Sequence, residues 1–122
     1  MSDNIIPKTI ICDIDGCILE HLGDLTKINL ENPNLLLGAK EKFIEWNMKS
    51  YKIILLTGRP ESMREITNKQ LQSFGLFWDI LIMGATRGER ILINDIKPTS
   101  TNNTATAINL KRNEGLALCL YV

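Results

Sequence analysis

The sequence lacks most of the features that mark a specialised class of protein. No apolar run approaches 18 residues, so no membrane span is expected. Met1-Ser2-Asp3-Asn4 does not open a secretory signal. The three cysteines (Cys12, Cys17, Cys119) are odd in number and lack C-x-x-C spacing. They predict reduced thiols in a cytoplasmic protein rather than a disulfide framework. Charge of either sign is not in excess: 14 basic and 14 acidic residues cancel, which argues against a nucleic-acid tract or an anionic-membrane surface. Aromatic residues are only 6% of the chain, and Trp46, Trp78 and the phenylalanines read as core or rim packing rather than as a stacking platform. Repeats, linkers and low-complexity tracts are absent. What remains is an ordinary globular composition, 44% hydrophobic and 23% charged, over 122 residues: one domain spanning 1–122 with a single modest core.

Apolar runs alternate with helical patterns, the signature of an α/β domain. Strands are expected at Thr9–Asp13, Lys52–Thr57, Asp79–Met83, Ile91–Asn94 and Leu116–Tyr121. A helix from about Leu36 to Lys49 places Ala39, Phe43, Ile44 and Trp46 at helical spacing. A second opens at Pro60, which suits a first helical turn, and stops at Gly75, with Met63, Ile66 and Phe74 facing inward. Residues of about 17–35 are polar and weakly periodic, and read as a flap beside the end of the first strand. Between the third and fourth strands only Gly84 to Arg90 intervene, too few for a parallel crossover, so Asp79–Met83 should be short, antiparallel or offset at the sheet edge.

Chemistry collects where the strands stop. The first ends in Asp13-Ile14-Asp15-Gly16, the second in Thr57-Gly58-Arg59-Pro60, and the fourth in Asn94-Asp95. In an open α/β sheet ligands bind beyond the carboxyl ends of parallel strands, so these groups should share one crevice. Two carboxylates at ~4 Å and an effective dielectric of ~20 repel by roughly 4 kcal/mol, a cost that a divalent cation offsets. Asp13, Asp95 and a carbonyl near Asp15 offer hard oxygen ligands for Mg2+. Thr57 adds a hydroxyl, and the Gly58 amide lies next to a helix start that favours anions. A carboxylate can attack phosphorus once metal neutralises the phosphate charge, and Asp15 can protonate the leaving oxygen and then activate water. Arg59 either binds substrate or pairs with a carboxylate to fix its loop.

In these three segments the chain resembles the haloacid dehalogenase superfamily of aspartyl-phosphate phosphatases and phosphotransferases, from about Thr9 to Pro98. Asp13-Ile14-Asp15-Gly16 matches the first motif, with Cys17 in the place of Thr or Val. Leu55-Leu56-Thr57-Gly58-Arg59 matches the second, and Ile91-Leu92-Ile93-Asn94-Asp95 the fourth. The resemblance implies a Rossmann-like three-layer α/β sandwich with a central, mainly parallel sheet. It makes Asp13 the nucleophile, Asp15 the general acid/base through an aspartyl-phosphate intermediate, and Thr57, with Gly58 and Arg59, the phosphate ligands. Asp13, the main-chain carbonyl of Asp15 and Asp95 are then the metal ligands. Two departures stand out. Asn94 replaces the first of two acids often found in the fourth motif. The third-motif lysine is missing from Gly84-Ala85; Arg87 is the first choice to replace it, before Arg90 and Lys97.

About 40 residues separate the first two motifs, and a helix uses part of them, so no large cap domain fits. An uncapped site is open to bulky substrates, or to cover by a partner subunit, a second copy included. The expected activity is Mg2+-dependent hydrolysis of a phosphomonoester. A small phosphorylated metabolite, a sugar phosphate or nucleotide, is the first choice of substrate, with a nucleic-acid end the other. The alternative, motivated by the missing lysine, is a non-catalytic phospho-ligand-binding module, with a phosphotransferase between the two. A calcium loop starting at Asp13 fails at Cys17 and Ile18. A phosphoacceptor receiver domain fails because Thr57 precedes Asp95. His21 reads as a surface residue, Cys17 as packing, and Lys111-Arg112 as a solvated pair.

Overall fold

A computed structural model describes residues 6–99, 104–117, 119 and 122. The elements run β1 (Thr9–Asp13), α1 (Leu25–Leu30), α2 (Ala39–Met48), β2 (Lys52–Leu56), a 3-10 turn (Glu61–Met63) continuing into α3 (Arg64–Ser73), and β3 (Ile80–Ile82). The three strands form one parallel sheet in the order β1-β2-β3, with Asp13 opposite Leu56 and Leu56 opposite Ile82. Parallel neighbours require crossover connections, and α2 and α3 supply them. The architecture is Rossmann-like α/β, and the chain between the first two strands holds only α1 and α2, so no cap is inserted there.

Strand alternation gives the sheet two unlike faces. One carries Cys12, Ile53, Leu55 and Leu81, which are buried with Ile14, Phe43, Trp46, Leu71 and Leu116. Phe43 and Trp46 lie one helical turn apart on α2 with ring centroids 5.3 Å apart and tilted by 49°, a packed aromatic pair as the sequence suggests. The other face places Ile11, Ile54 and Ile80 in register across all three strands, yet Ile11 is 52% and Ile80 40% exposed.

The differences from the sequence reading have physical causes. β3 is short and at an edge, as the tight connection demanded, but it is parallel: α3 precedes it and provides the crossover. Ile91–Asn94 lies in no strand, and Ile91, Leu92 and Ile93 are exposed. An apolar composition favours a strand, but only a paired ladder makes one. Of the expected Leu116–Tyr121 strand, 116, 117 and 119 lie in no strand, and 118, 120 and 121 are outside the described residues. The flap is not all loop. Asp24 caps α1, its carboxylate accepting from the amides of Thr26 (2.7 Å) and Lys27 (3.4 Å). On α3 the buried residues are Thr67, Gln70 and Leu71, two of the three polar, for a reason that the site supplies. Among the described residues no helix is long and apolar enough to cross a membrane.

The carboxyl-terminal turn is stitched to the start of α2. The Leu116 amide donates to the Leu37 carbonyl (2.9 Å), and Gly115, at φ +85°, lies so close that a β-carbon there would collide with Leu37 backbone atoms. Both the left-handed conformation and the contact require glycine. Gly115→Ala should therefore lower stability by about 2–4 kcal/mol, read from urea unfolding. A loss well under 1 kcal/mol would show that this junction yields freely.

Candidate active site

The site begins at Asp13, the last residue of β1. Its Oδ1 accepts from the Ile14 amide at 2.8 Å. The chain then folds on itself: the amides of Ile18 (2.9 Å) and Leu19 (3.0 Å) donate to the Ile14 carbonyl, and the Gly16 amide donates to the Leu19 carbonyl (2.7 Å). Gly16 sits at φ +89°, the left-handed geometry that glycine allows at this reversal. The turn leaves Asp15 directed toward the end of β2.

The β2 end is equally well held. The Thr57 amide donates to Ile82 (3.0 Å), its carbonyl accepts from Ala85 (3.0 Å), and its hydroxyl oxygen accepts from the Arg59 amide (3.1 Å). That last bond leaves the hydroxyl proton for another acceptor. Arg59 is only 2% exposed and spends its donors on four acceptor oxygens. Nε and a terminal nitrogen grip the two Asp15 oxygens at 2.9 and 2.7 Å. The other terminal nitrogen donates to Thr67 Oγ1 (2.9 Å) and Gln70 Oε1 (2.7 Å). Gln70 in turn donates to the Ile28 carbonyl on α1 at 2.9 Å. A buried guanidinium needs a carboxylate and a full set of acceptors, and α3 turns a polar face inward to provide them. Thr67 and Gln70 escaped the sequence reading, although both share a helix face with Met63 and Leu71.

The two aspartates thus sit in different surroundings. Partial loss of hydration raises the Asp13 carboxyl above the ordinary carboxylate range, against the Ile14 amide and the Arg90 charge; Asp15 adds to the rise and His21 opposes it. Asp15 has both oxygens tied to a counter-charge. The three candidate cations Arg87, Arg90 and Lys97 are all exposed, and of them the Arg90 charge lowers the Asp13 carboxyl against the rise from burial. Arg90 itself is held by the carbonyls of Thr86 (3.0 Å) and Gly88 (3.2 Å). Asp95 is exposed, and its carbonyl accepts from Thr104 Oγ1 (2.8 Å) and Asn94 Nδ2 (3.3 Å). The structure therefore brings together Asp13, Asp15, Thr57, Gly58 and Arg59 at the ends of β1 and β2; among the described residues no three of His, Cys, Asp and Glu group as a metal cage. The Cys17 thiol is pushed up to about 11 by burial and by the Asp13, Cys119 and Asp15 charges, which makes it a poor nucleophile at neutral pH.

No protein-family model and no curated protein matches the chain. Solved structures do. A chain of a Pnkp1/Rnl/Hen1 complex is 28% identical with a TM-score of 0.57, over 73% of this chain and 32% of that one. A chain of the Pnkp1/Rnl/Hen1 RNA repair complex is 30% identical with a TM-score of 0.56, over 69% of this chain and 28% of that one. A structural target from Vibrio cholerae is 17% identical with a TM-score of 0.52, over 75% and 85% of the two chains. The fold is haloacid dehalogenase-like. The chain spans about a third of the length of the complex chains that it matches.

Two measurements check this geometry. Arg59→Met strands Asp15, Thr67 and Gln70 together, and should cost about 3–5 kcal/mol in urea unfolding. Arg59→Lys should recover only part, because an ammonium cannot grip both Asp15 oxygens and reach α3 as well. Asp13 gives the pH test. Its raised folded-state pKa means that its contribution to stability is present below about pH 4 and is lost as pH rises through the folded value. Asn cannot ionise, so in metal-free buffer Asp13→Asn should gain stability relative to the parent between pH 4 and pH 7; a gap that moves the other way contradicts the assignment.

Proposed function

We propose that the chain is a Mg2+-dependent phosphomonoester hydrolase that works through a phosphorylated Asp13. The observation that carries this reading is the pairing of an under-compensated carboxylate with one fixed by a buried guanidinium, at the ends of adjacent parallel strands beside Thr57 and Gly58. Asp13 attacks phosphorus, and the phosphorus–leaving-oxygen bond breaks as the aspartyl phosphate forms. Asp15 must first release one of its two bonds to Arg59 and take up a proton from solvent; it then delivers that proton to the leaving oxygen and recovers one from the water that opens the acyl phosphate. The Thr57 hydroxyl and the Gly58 amide hold phosphate oxygens, and Arg90 takes the place of the absent third-motif lysine in preference to Arg87. Arg59 is a positioning residue rather than a direct phosphate ligand.

The donors present fit Mg2+, which takes one or two carboxylates together with water and substrate phosphate rather than an all-protein cage. The Asp13 carboxylate and the Asp15 carbonyl would hold it, with Asp95 as the third protein ligand. Bound there, it would neutralise phosphate charge during attack. A cytoplasmic setting agrees with three free thiols.

A phosphate-release screen over sugar phosphates, nucleotides and phosphorylated nucleic-acid ends, with and without Mg2+, tests the reading. Asp13→Asn should reduce release about a thousandfold or more while leaving the fold intact, and near-normal turnover in that variant would exclude Asp13 as nucleophile. One observation favours a second reading, a module that binds phosphorylated ligands without turnover: Gly84-Ala85 lacks the third-motif lysine. Stabilisation by Mg2+ and ligand with no release anywhere in the screen would support it.

A further inference from the structure

The turn at 111–116 reads in sequence as solvated, but it is built onto the site. The Asn113 amide donates to the Gly16 carbonyl at 2.9 Å, and Asn113 Oδ1 accepts from the His21 amide at 2.8 Å. Asn113 adopts φ +65° to make this clamp, a conformation that asparagine tolerates better than most residues. The clamp lays the Arg112 side chain on the catalytic turn: a β-carbon placed on Gly16 would lie 3.3 Å from Arg112 Cγ and 3.8 Å from His21 Cβ. Among the described residues the exposed Arg112 guanidinium has no hydrogen bond or ion pair, and its charge is not one of those acting on Asp13. Its stem therefore lies against Gly16, the residue after Asp15, with the charged end exposed beside the catalytic turn.

We propose that Arg112 receives a second phosphate group of the substrate, so that the site prefers phosphomonoesters whose scaffold carries another phosphate. This rests on the hydrolase reading for the first phosphate, and on the clamp of Asn113 for the second. A guanidinium suits a phosphate because two parallel N–H groups meet two oxygens. With no partner of its own, Arg112 breaks no internal bond to do so. The absence of an inserted cap leaves the rim open to a scaffold of either size, a nucleoside bisphosphate or the phosphodiester next to a phosphorylated oligonucleotide end.

Binding is measured in Mg2+ with the full chain carrying Asp13→Asn, so that turnover is not needed. The probes are adenosine 5′-monophosphate, adenosine 3′,5′-bisphosphate, and a short 3′-phosphorylated RNA with its dephosphorylated counterpart. In the Asp13→Asn parent at least one two-phosphate probe should bind about tenfold more tightly than the monophosphate. Arg112→Met keeps the apolar stem over Gly16 and removes the charge; it should abolish most of that ratio, whereas Arg112→Lys should retain part of it. If the RNA is the preferred probe, its log-affinity against log-salt slope should also become shallower by about 0.7 in Arg112→Met. Preference for the bisphosphate or for the RNA names the scaffold, and either supports the proposal. Equal effects of Arg112→Met on one- and two-phosphate probes, or no preference in the parent, overturn it. Phosphate release by the native chain without preference leaves the hydrolase and removes this inference, while preference without release does the reverse.

Discussion

The bidentate pair between Asp15 and Arg59 is the interaction on which the site depends. A guanidinium that is nearly all buried is tolerated only when its donors are matched, and the matched network joins three parts of the chain. The turn after β1 supplies Asp15, the loop after β2 supplies Arg59, and α3 supplies Thr67 and Gln70. Through the Gln70 bond to Ile28 the same network reaches α1, so the flap is tied to the orientation of the second carboxylate. Each bond taken singly is modest; as a closed set they leave the Asp15 carboxylate little choice of plane.

That pair also explains how two carboxylates, adjacent but for one residue, come to have different work. Asp15 is compensated inside the protein. Asp13 is compensated incompletely, by one amide and by the Arg90 charge against its loss of hydration, and it is the group left wanting a cation. Positive charge is arranged around the site: Arg59 paired with Asp15, Arg90 acting on the Asp13 carboxyl, and Arg112 over Gly16. A chain with zero net charge can thus present a locally cationic mouth to a phosphate.

Much of this was legible in the sequence, and the remainder was not for identifiable reasons. β1 and β2 were legible because each is an apolar run closed by polar or small residues, and α2 because its apolar residues recur at helical spacing. Arg59 was left between two roles because pairing depends on what faces it across the fold. The polar residues Thr67 and Gln70 were overlooked because periodicity counts apolar positions, and here the inward face of the helix is mostly polar. Ile91–Ile93 looked like a strand because composition cannot tell an apolar segment that finds a ladder from one that does not. Lys111-Arg112 looked solvated because nothing local shows that Asn113 will reach back across some ninety residues to His21.

The sequence by itself determined the alternating α/β order, the two aspartates at the end of an apolar strand, and the Thr-Gly-Arg turn at the end of the next. These are local facts, written in composition, spacing and punctuation. Only the tertiary structure decided which side chains meet: that Arg59 belongs to Asp15, that Thr67 and Gln70 complete its partners, and that Arg112 lies on Gly16. Electrostatic partners are chosen by distance and burial, and both are properties of the folded chain that no stretch of sequence contains.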